Sequence, residues 1–288
     1  MTRIVIVVLR FVQTTTRTKR QGYMKLDDVK KLHQKKYRTQ LGYYLVEGEH
    51  LILELQKAQL RNEQLKNDPS QRTIQQPSNV RDMTLYVTQE YEEWATALSA
   101  QFTILTINKK QMAQLSDTKT PQGIIARVPL PNAKKIIADQ HIPKQHERCI
   151  YLHEVQDPGN LGTILRSLAW FGNFRLLLSP NSVDPFNSKV VRASMGAIFH
   201  VPVELEIELG DLSTRFDKFA YLDLQGSNIN TGEFAYYECY LFGNEARGVP
   251  LEALSAFNAD AFTIPGRGSI DSLNLASAVN ICAYQLSV

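Results

Sequence analysis

The chain is 288 residues long with 43% apolar and 21% charged residues, which suits two soluble domains of roughly 100–200 residues and excludes a disordered, collagenous or coiled-coil protein. Its 32 basic and 29 acidic residues are unevenly divided: residues 1–148 hold 24 basic and 14 acidic side chains, residues 149–288 hold 8 and 15. A basic half that meets a polyanion and an acidic half with another task follow from that split.

In chain order, the apolar stretch 4–9 is too short for a membrane span of ~18 residues. A polar, basic segment without a small-residue cleavage site follows it, so secretion is not expected and residues 1–23 read as an extension. Leu26, Val29, Leu32 and His33 fall at helical spacing, with Lys30, Lys31, Lys35, Lys36 and Arg38 over the remaining surface. A strand is expected at 43–47, an amphipathic helix at 49–60 and a polar insertion at 66–80. Strands at 85–87 and 102–107 with a helix between them, then a strand at 123–128, complete a small α/β domain over 24–128. The Pro- and Lys-bearing stretch 129–146 is the expected linker.

The second domain, 147–288, alternates more regularly. Strands are expected at 150–155, 174–178, 220–224, 240–242 and 261–264, and helices at 161–171, 187–199, 251–257 and 273–286. That pattern predicts a mostly parallel sheet covered on both faces. Three cysteines (Cys149, Cys239, Cys282) without a CxxC give no disulfide framework and no zinc ribbon, and point to a reducing cytoplasm. His153, inside an apolar strand, is expected to be a satisfied core residue, and no metal-ligand spacing occurs.

Three glycine-bearing loops each follow a strand and precede a helix: Asp157–Gly162, Gly243–Gly248 and Pro265–Asn274. In parallel sheets such loops form the ligand crevice. GxGxxG, GxxxxGK[ST] and GxSxG are all absent, which disfavours a dinucleotide site, a P-loop and a serine hydrolase.

The runs Asn-Leu-Gly-Thr-Ile-Leu-Arg (160–166), Leu-Phe-Gly-Asn-Glu-Ala-Arg-Gly-Val (241–249) and Ile-Pro through Ser-Leu-Asn-Leu-Ala (264–276) resemble the three ordered motifs of the SpoU (TrmH) class of RNA 2′-O-ribose methyltransferases. Residues 184–197 resemble the stretch connecting the first two. The first half is similar to the family's ribosomal-protein-like RNA-binding domain. The resemblance implies a deep trefoil knot in the carboxyl-terminal domain, S-adenosylmethionine as cofactor and a homodimer. It further implies a cofactor site with Gly243, Ile264, Leu273 and Asn274, and active-site positions at Asn160, Arg166, Glu245, Ser272 and Asn274.

The residue types fit that chemistry. A sulfonium methyl group is already activated, so an enzyme needs to align a hydroxyl and help remove one proton, without metal or covalent intermediate. Arg166 is expected to position substrate or stabilise charge, its pKa above ~12 making it a poor base; the base stays unassigned. Asn160 also suits a helix cap before Leu161, and Glu245 suits a cap on the N–H groups of Gly248 or Val249. Lys30, Lys31, Lys35, Lys36 and Arg38 are the expected RNA contacts. The two-domain layout leans toward ribosomal over transfer RNA. A non-catalytic RNA-binding protein on the same scaffold, or a metabolic enzyme with another nucleotide ligand, are the competing readings.

Overall fold

The computed structural model describes residues 24–64, 83–98, 102–131, 147–270 and 272–288, with side chains to residue 61 in the first of these stretches. The expected extension 1–23, the insertion 66–80 and the linker beyond Pro131 lie outside the described residues.

Two short helices, α1 (Leu26–Lys31) and α2 (Lys35–Leu41), stand where one was expected. The break has a local cause. Arg38 reaches back from α2 and donates to the Leu32 and His33 carbonyls (2.9 and 2.8 Å), supplying partners that a continued helix would have supplied from its backbone. Gly42, in the left-handed region at φ 76°, then closes α2.

Strand β1 (Tyr43–Glu47) leads into α3 (Glu49–Gln64), whose Leu51, Ile52, Leu55 and Ala58 are buried. Strands β2 (Thr84–Val87) and β3 (Thr103–Thr106) flank the short helix α4 (Glu92–Ala97). Helix α5 (Lys109–Leu115) precedes β4 (Ile124–Pro129). The sheet order is β1-β4-β2-β3, antiparallel except for β2 with β3. Helix α5 was not expected, although Asn108 and Gln111 form a capping box at its start.

The second half builds a six-stranded sheet in the order β10-β8-β9-β5-β6-β7, and every ladder in it is parallel. Its strands are β5 (Arg148–Leu152), β6 (Phe174–Leu178), β7 (Val203–Glu204), β8 (Phe219–Asn228), β9 (Cys239–Phe242) and β10 (Ala259–Thr263). Helices α6 (Pro158–Phe171), α7 (Ser188–Ala193), α8 (Leu209–Arg215), α9 (Leu251–Leu254) and α10 (Leu275–Gln285) connect or follow them.

Apolar clusters lie on both faces of the sheet. One contains Ile150, Leu176 and Tyr240 with α6 and α10; the other contains Tyr151, Leu177, Leu241 and Leu254. All three cysteines are buried and unpaired. Burial pushes the Cys149 and Cys282 thiols up to about 12, so neither is a nucleophile near neutrality.

The expected helix 187–199 stops at Ala193 because Met195 and Gly196 take left-handed backbone (φ 50° and 92°). Gly196 there lies against α3: a Cβ on it would sit 2.7 Å from the Glu54 Cβ. This turn belongs to a seam between the two halves. Across it Arg38 meets Asp184, the Tyr44 and Phe186 rings pack at 5.0 Å, and Asp117 binds Ser188 and Arg192.

Gly226 and Gly162 show where chains pass closely. A Cβ at Gly226 would lie 2.5 Å from the backbone of Ala261, beside the register shift in β10. One at Gly162 would lie 2.8 Å from the carbonyl carbon of Ala193, which brings α6 against α7.

Candidate active site at the carboxyl ends of the parallel strands

A cavity of about 660 Å³ opens where β9 and β10 end, the end at which parallel sheets bind ligands and within the size range of small-molecule sites. The loop 243–249, residues 262–264, residues 272–275 and Asn160 line it, together with Leu222, Asp223 and Leu224 of β8. All three glycine-bearing loops therefore contribute to one place.

The polar geometry follows from what each group can donate or accept. Glu245 only accepts: one oxygen takes the Asp157 N–H (3.1 Å) and the Asn160 side-chain amide (3.2 Å), the other the Gln156 N–H (3.1 Å). Asn160 must then turn its NH2 toward Glu245 and its oxygen toward Asn274, which donates to it at 2.9 Å. Asn274 in turn keeps its own oxygen for the Ala276 and Ser277 N–H groups (2.9 and 3.3 Å), capping α10. One hydrogen-bond chain thus ties the first, second and third loops together.

Two expectations about caps are corrected. Asp157, not Asn160, caps α6: its side chain accepts from the Asn160 N–H at 2.7 Å, and Pro158 occupies the first turn. That leaves the Asn160 side chain for the bridge. Glu245 does not cap Gly248 or Val249; its carboxylate holds the backbone of the first loop instead.

Asn244, overlooked in the sequence, shapes the second loop. Its main chain exchanges two hydrogen bonds with Gly248 at 2.9 Å each. Its side chain accepts from Ala246 and Arg247 N–H and donates to the Glu154 carbonyl at 2.7 Å. Gly243 is glycine because a Cβ would strike the Gly248 backbone of its own loop. Asp223 was also missed: a single acidic residue in the half-buried middle of β8 carries no sequence signal.

Of the expected site residues, Asn160, Gly243, Glu245, Ile264, Ser272, Leu273 and Asn274 all line the cavity. Arg166 does not. It sits exposed on α6, six residues or ~9 Å of helix beyond Asn160, with no hydrogen bond or ion pair among the described residues. His153 is not the satisfied core residue expected, since its buried Nδ1 has no partner among the described residues; burial holds its imidazole below the ordinary range. No group of His, Cys, Asp and Glu among the described residues could hold a metal ion, and no described helix is long and apolar enough to cross a membrane.

On the first half, Lys30, Lys31, Lys35 and Lys36 are exposed as expected. Lys31 pairs with Asp28 (2.8 Å) and Lys35 with Glu206 (3.3 Å), while Lys36 lies over the Tyr37 ring. Arg38 contradicts its assignment. It is 3% exposed and grips Asp184 through two nitrogens at 3.0 and 2.5 Å. The sequence placed it on a helix face but could not show its partner, 146 positions away.

The model of the SpoU rRNA Methylase family matches residues 147–284, and that of the MRM3-like substrate binding domain matches residues 24–126. The 23S rRNA (guanosine(2553)-2′-O)-methyltransferase RlmP of Bacillus subtilis is 28% identical over 91% of this chain and 95% of its own length. Two solved structures share the fold. The AdoMet-bound rRNA methyltransferase of Sinorhizobium meliloti has a TM-score of 0.69 at 24% identity, covering 91% of this chain and 93% of that one. The SpoU methyltransferase AviRb of Streptomyces viridochromogenes, with AdoMet, has a TM-score of 0.72 at 21% identity, covering 91% and 96%.

Proposed function

By residues 147–284 the chain belongs to the SpoU rRNA methylase family, and we propose that it transfers a methyl group from S-adenosylmethionine to a ribose 2′-hydroxyl of RNA, ribosomal rather than transfer RNA. The observation that carries this reading is the Asn274–Asn160–Glu245 chain, which joins the three motif loops around one cavity.

The cavity suits the cofactor. Leu222, Leu273 and Ile264 offer apolar surface for a purine, while the loop backbones at 243–249 and 272–275 offer polar groups. Leu224 and Leu273 are 71% and 46% exposed, apolar surface that a bound adenosyl group would cover. Gly243, Ile264, Leu273 and Asn274 are the proposed cofactor contacts. Bound S-adenosylmethionine supplies an activated methyl group.

This chain's own residues must hold the ribose hydroxyl in line with that methyl. Alignment of that kind is worth roughly 7–11 kcal/mol of barrier. Asn160, Ser272 and Asn274 stand at the cavity as positioning groups, and Glu245, already accepting three hydrogen bonds, anchors them. Arg166, exposed on its helix and without a side-chain partner among the described residues, is the proposed grip on a substrate phosphate.

Residues 24–128 are the proposed substrate-binding domain, with Lys30, Lys31, Lys35 and Lys36 on its surface, and 147–288 the methyltransferase domain. The close passage of β8 at Gly226 against the backbone of β10 fits the knot that the family implies. Trp170 (85% exposed) and Ile281, Tyr284 and Val288 present apolar surface on and after α6 and α10, which supports a homodimer. The cytoplasm is the proposed location.

The test is to incubate the full chain with labelled S-adenosylmethionine and ribosomal RNA from a strain lacking the gene, then hydrolyse with alkali. Ribose methylation leaves label in alkali-resistant dinucleotides. Label in free mononucleotides, or none at all, would overturn the reading.

A further inference from the structure

The cavity is lined by three charged residues: Asp223, Glu245 and Arg247. Glu245 is engaged with the backbone of the first loop. Arg247 is therefore the single basic residue among the described lining residues, in a half of the chain that carries 15 acidic side chains against 8 basic ones. A polyanion brought to this cavity meets a repulsive surround unless a cation at the mouth receives it.

Arg247 is placed for that. Its side chain is 68% exposed, and it stands at the tip of a loop closed by the paired main-chain bonds of Asn244 and Gly248. Its guanidinium forms an ion pair with the Glu154 carboxylate. Glu154 is itself unusual, a non-glycine residue in the left-handed region at φ 50°, uncommon for such a residue. Four contacts over-determine that conformation: its N–H donates to Ser179 Oγ (2.7 Å), its carbonyl accepts from Asn244 (2.7 Å) and Gln156 (2.9 Å), and its carboxylate accepts from Asn181 (3.3 Å). Because Asn244 also holds the Arg247 N–H, the backbones of the two paired residues are tied through one buried side chain. Strain kept by so many bonds marks a place where side-chain position is being set.

We propose that Arg247 is a phosphodiester-binding residue at the cavity mouth and that Glu154 is its resting counter-ion, displaced when an RNA backbone phosphate takes the guanidinium. The inference rests on the RNA methyl-transfer reading and adds to it a residue and a competition. An exposed ion pair is weak, so a phosphate accepting two guanidinium hydrogen bonds displaces the carboxylate readily. A cofactor carboxylate carries the same kind of charge, but Arg247's exposure at the rim favours the larger ligand.

The experiment uses the full chain, ribosomal RNA from a strain lacking the gene, and S-adenosylmethionine measured separately by calorimetry. Arg247→Gln should weaken RNA binding roughly tenfold or more, flatten the log–log salt slope by about 0.7–0.9 and leave cofactor affinity unchanged. Glu154→Gln, which removes the competing charge, should tighten RNA binding by about twofold to fivefold. Glu154→Gly should do the same while relaxing the backbone. Arg247→Lys keeps the charge and should restore the slope.

Weaker cofactor binding with unchanged RNA binding in Arg247→Gln would assign the cation to the cofactor and overturn the proposal. So would RNA affinity that neither substitution moves, or a slope that Lys does not restore. A wild-type chain that neither binds nor methylates RNA fails before any substitution, and that result sinks the functional reading itself.

Discussion

Arg38→Met separates two physical roles for one side chain. The guanidinium makes four hydrogen bonds, two to Asp184 and one each to the Leu32 and His33 carbonyls. It is 3% exposed and the Asp184 side chain 11% exposed. Methionine fills similar volume but leaves a nearly buried carboxylate without its counter-charge and two carbonyls without donors. Breaking a buried pair from one side costs about 3–5 kcal/mol, which for a chain of 288 residues lowers the Tm by roughly 5–8 °C. Thermal and urea unfolding measure it. Adding Asp184→Asn removes the orphaned charge yet keeps the Oδ1 that accepts the Phe186 N–H, so the double variant should recover part of the loss. RNA affinity against salt is the second arm: a buried arginine contributes no phosphate contact, so the slope should hold. A variant with native stability and a slope flatter by about 0.7–0.9 would refute the buried-pair account and return Arg38 to the RNA-binding surface.

Gly243→Ala should displace the loop 243–249, lowering stability together with cofactor affinity, because the new methyl collides with the Gly248 backbone; native affinity by calorimetry would show that the loop tolerates it. Asn274→Ala removes the α10 cap and the bond to Asn160, for a cost of about 1–3 kcal/mol. Asn274→Asp keeps the cap but not the donor, so it should lose only part of that in a denaturant titration, and equal losses would show that the bridge to Asn160 adds nothing. Burial holds His200 and His153 below the ordinary imidazole value of 6.5. The unfolded chain therefore binds protons more readily, and stability present above 6.5 should fall as pH drops below it. Asp117, held low by Arg192 and Ser188 despite burial, loses its contribution further into acid, in the same direction. Urea midpoints between about pH 8 and pH 5 should decline, less steeply in His200→Gln; a rise on acidification would contradict this.

Much of the second half was legible because buried parallel strands are written as apolar runs: the expected strand 174–178 and the observed one have the same bounds. The motif residues that line the cavity were legible because motif loops sit at strand ends, where ligands bind, whereas Leu222, Asp223 and Leu224 reach it from β8 outside any motif. What escaped depended on distant partners or on choices between equivalent local signals. Asp157 and Asn160 are both competent caps, and Pro158 was the feature that decided between them. Arg38 and the helix break before it depend on Asp184 and on the carbonyls it satisfies. The early end of α7 depends on α3 lying against Gly196. Helix α5 carried a readable capping box but offers just seven residues of weak pattern.

The all-parallel order of the six-stranded sheet sets how this half must fold. Parallel neighbours cannot be joined by a tight hairpin; each ladder waits for a crossover to close. Central β5 pairs with β9, so Cys149 opposite Cys239 brings together residues far apart in the chain. Asn160 and Asn274, joined in the cavity, are 114 positions apart. Contacts of such long range are entropically late, and proteins dominated by them cross slow barriers. The cavity should therefore have no partial precursor during refolding: cofactor protection ought to arise in the same slow phase as the sheet. A ligand present early would find nothing to hold.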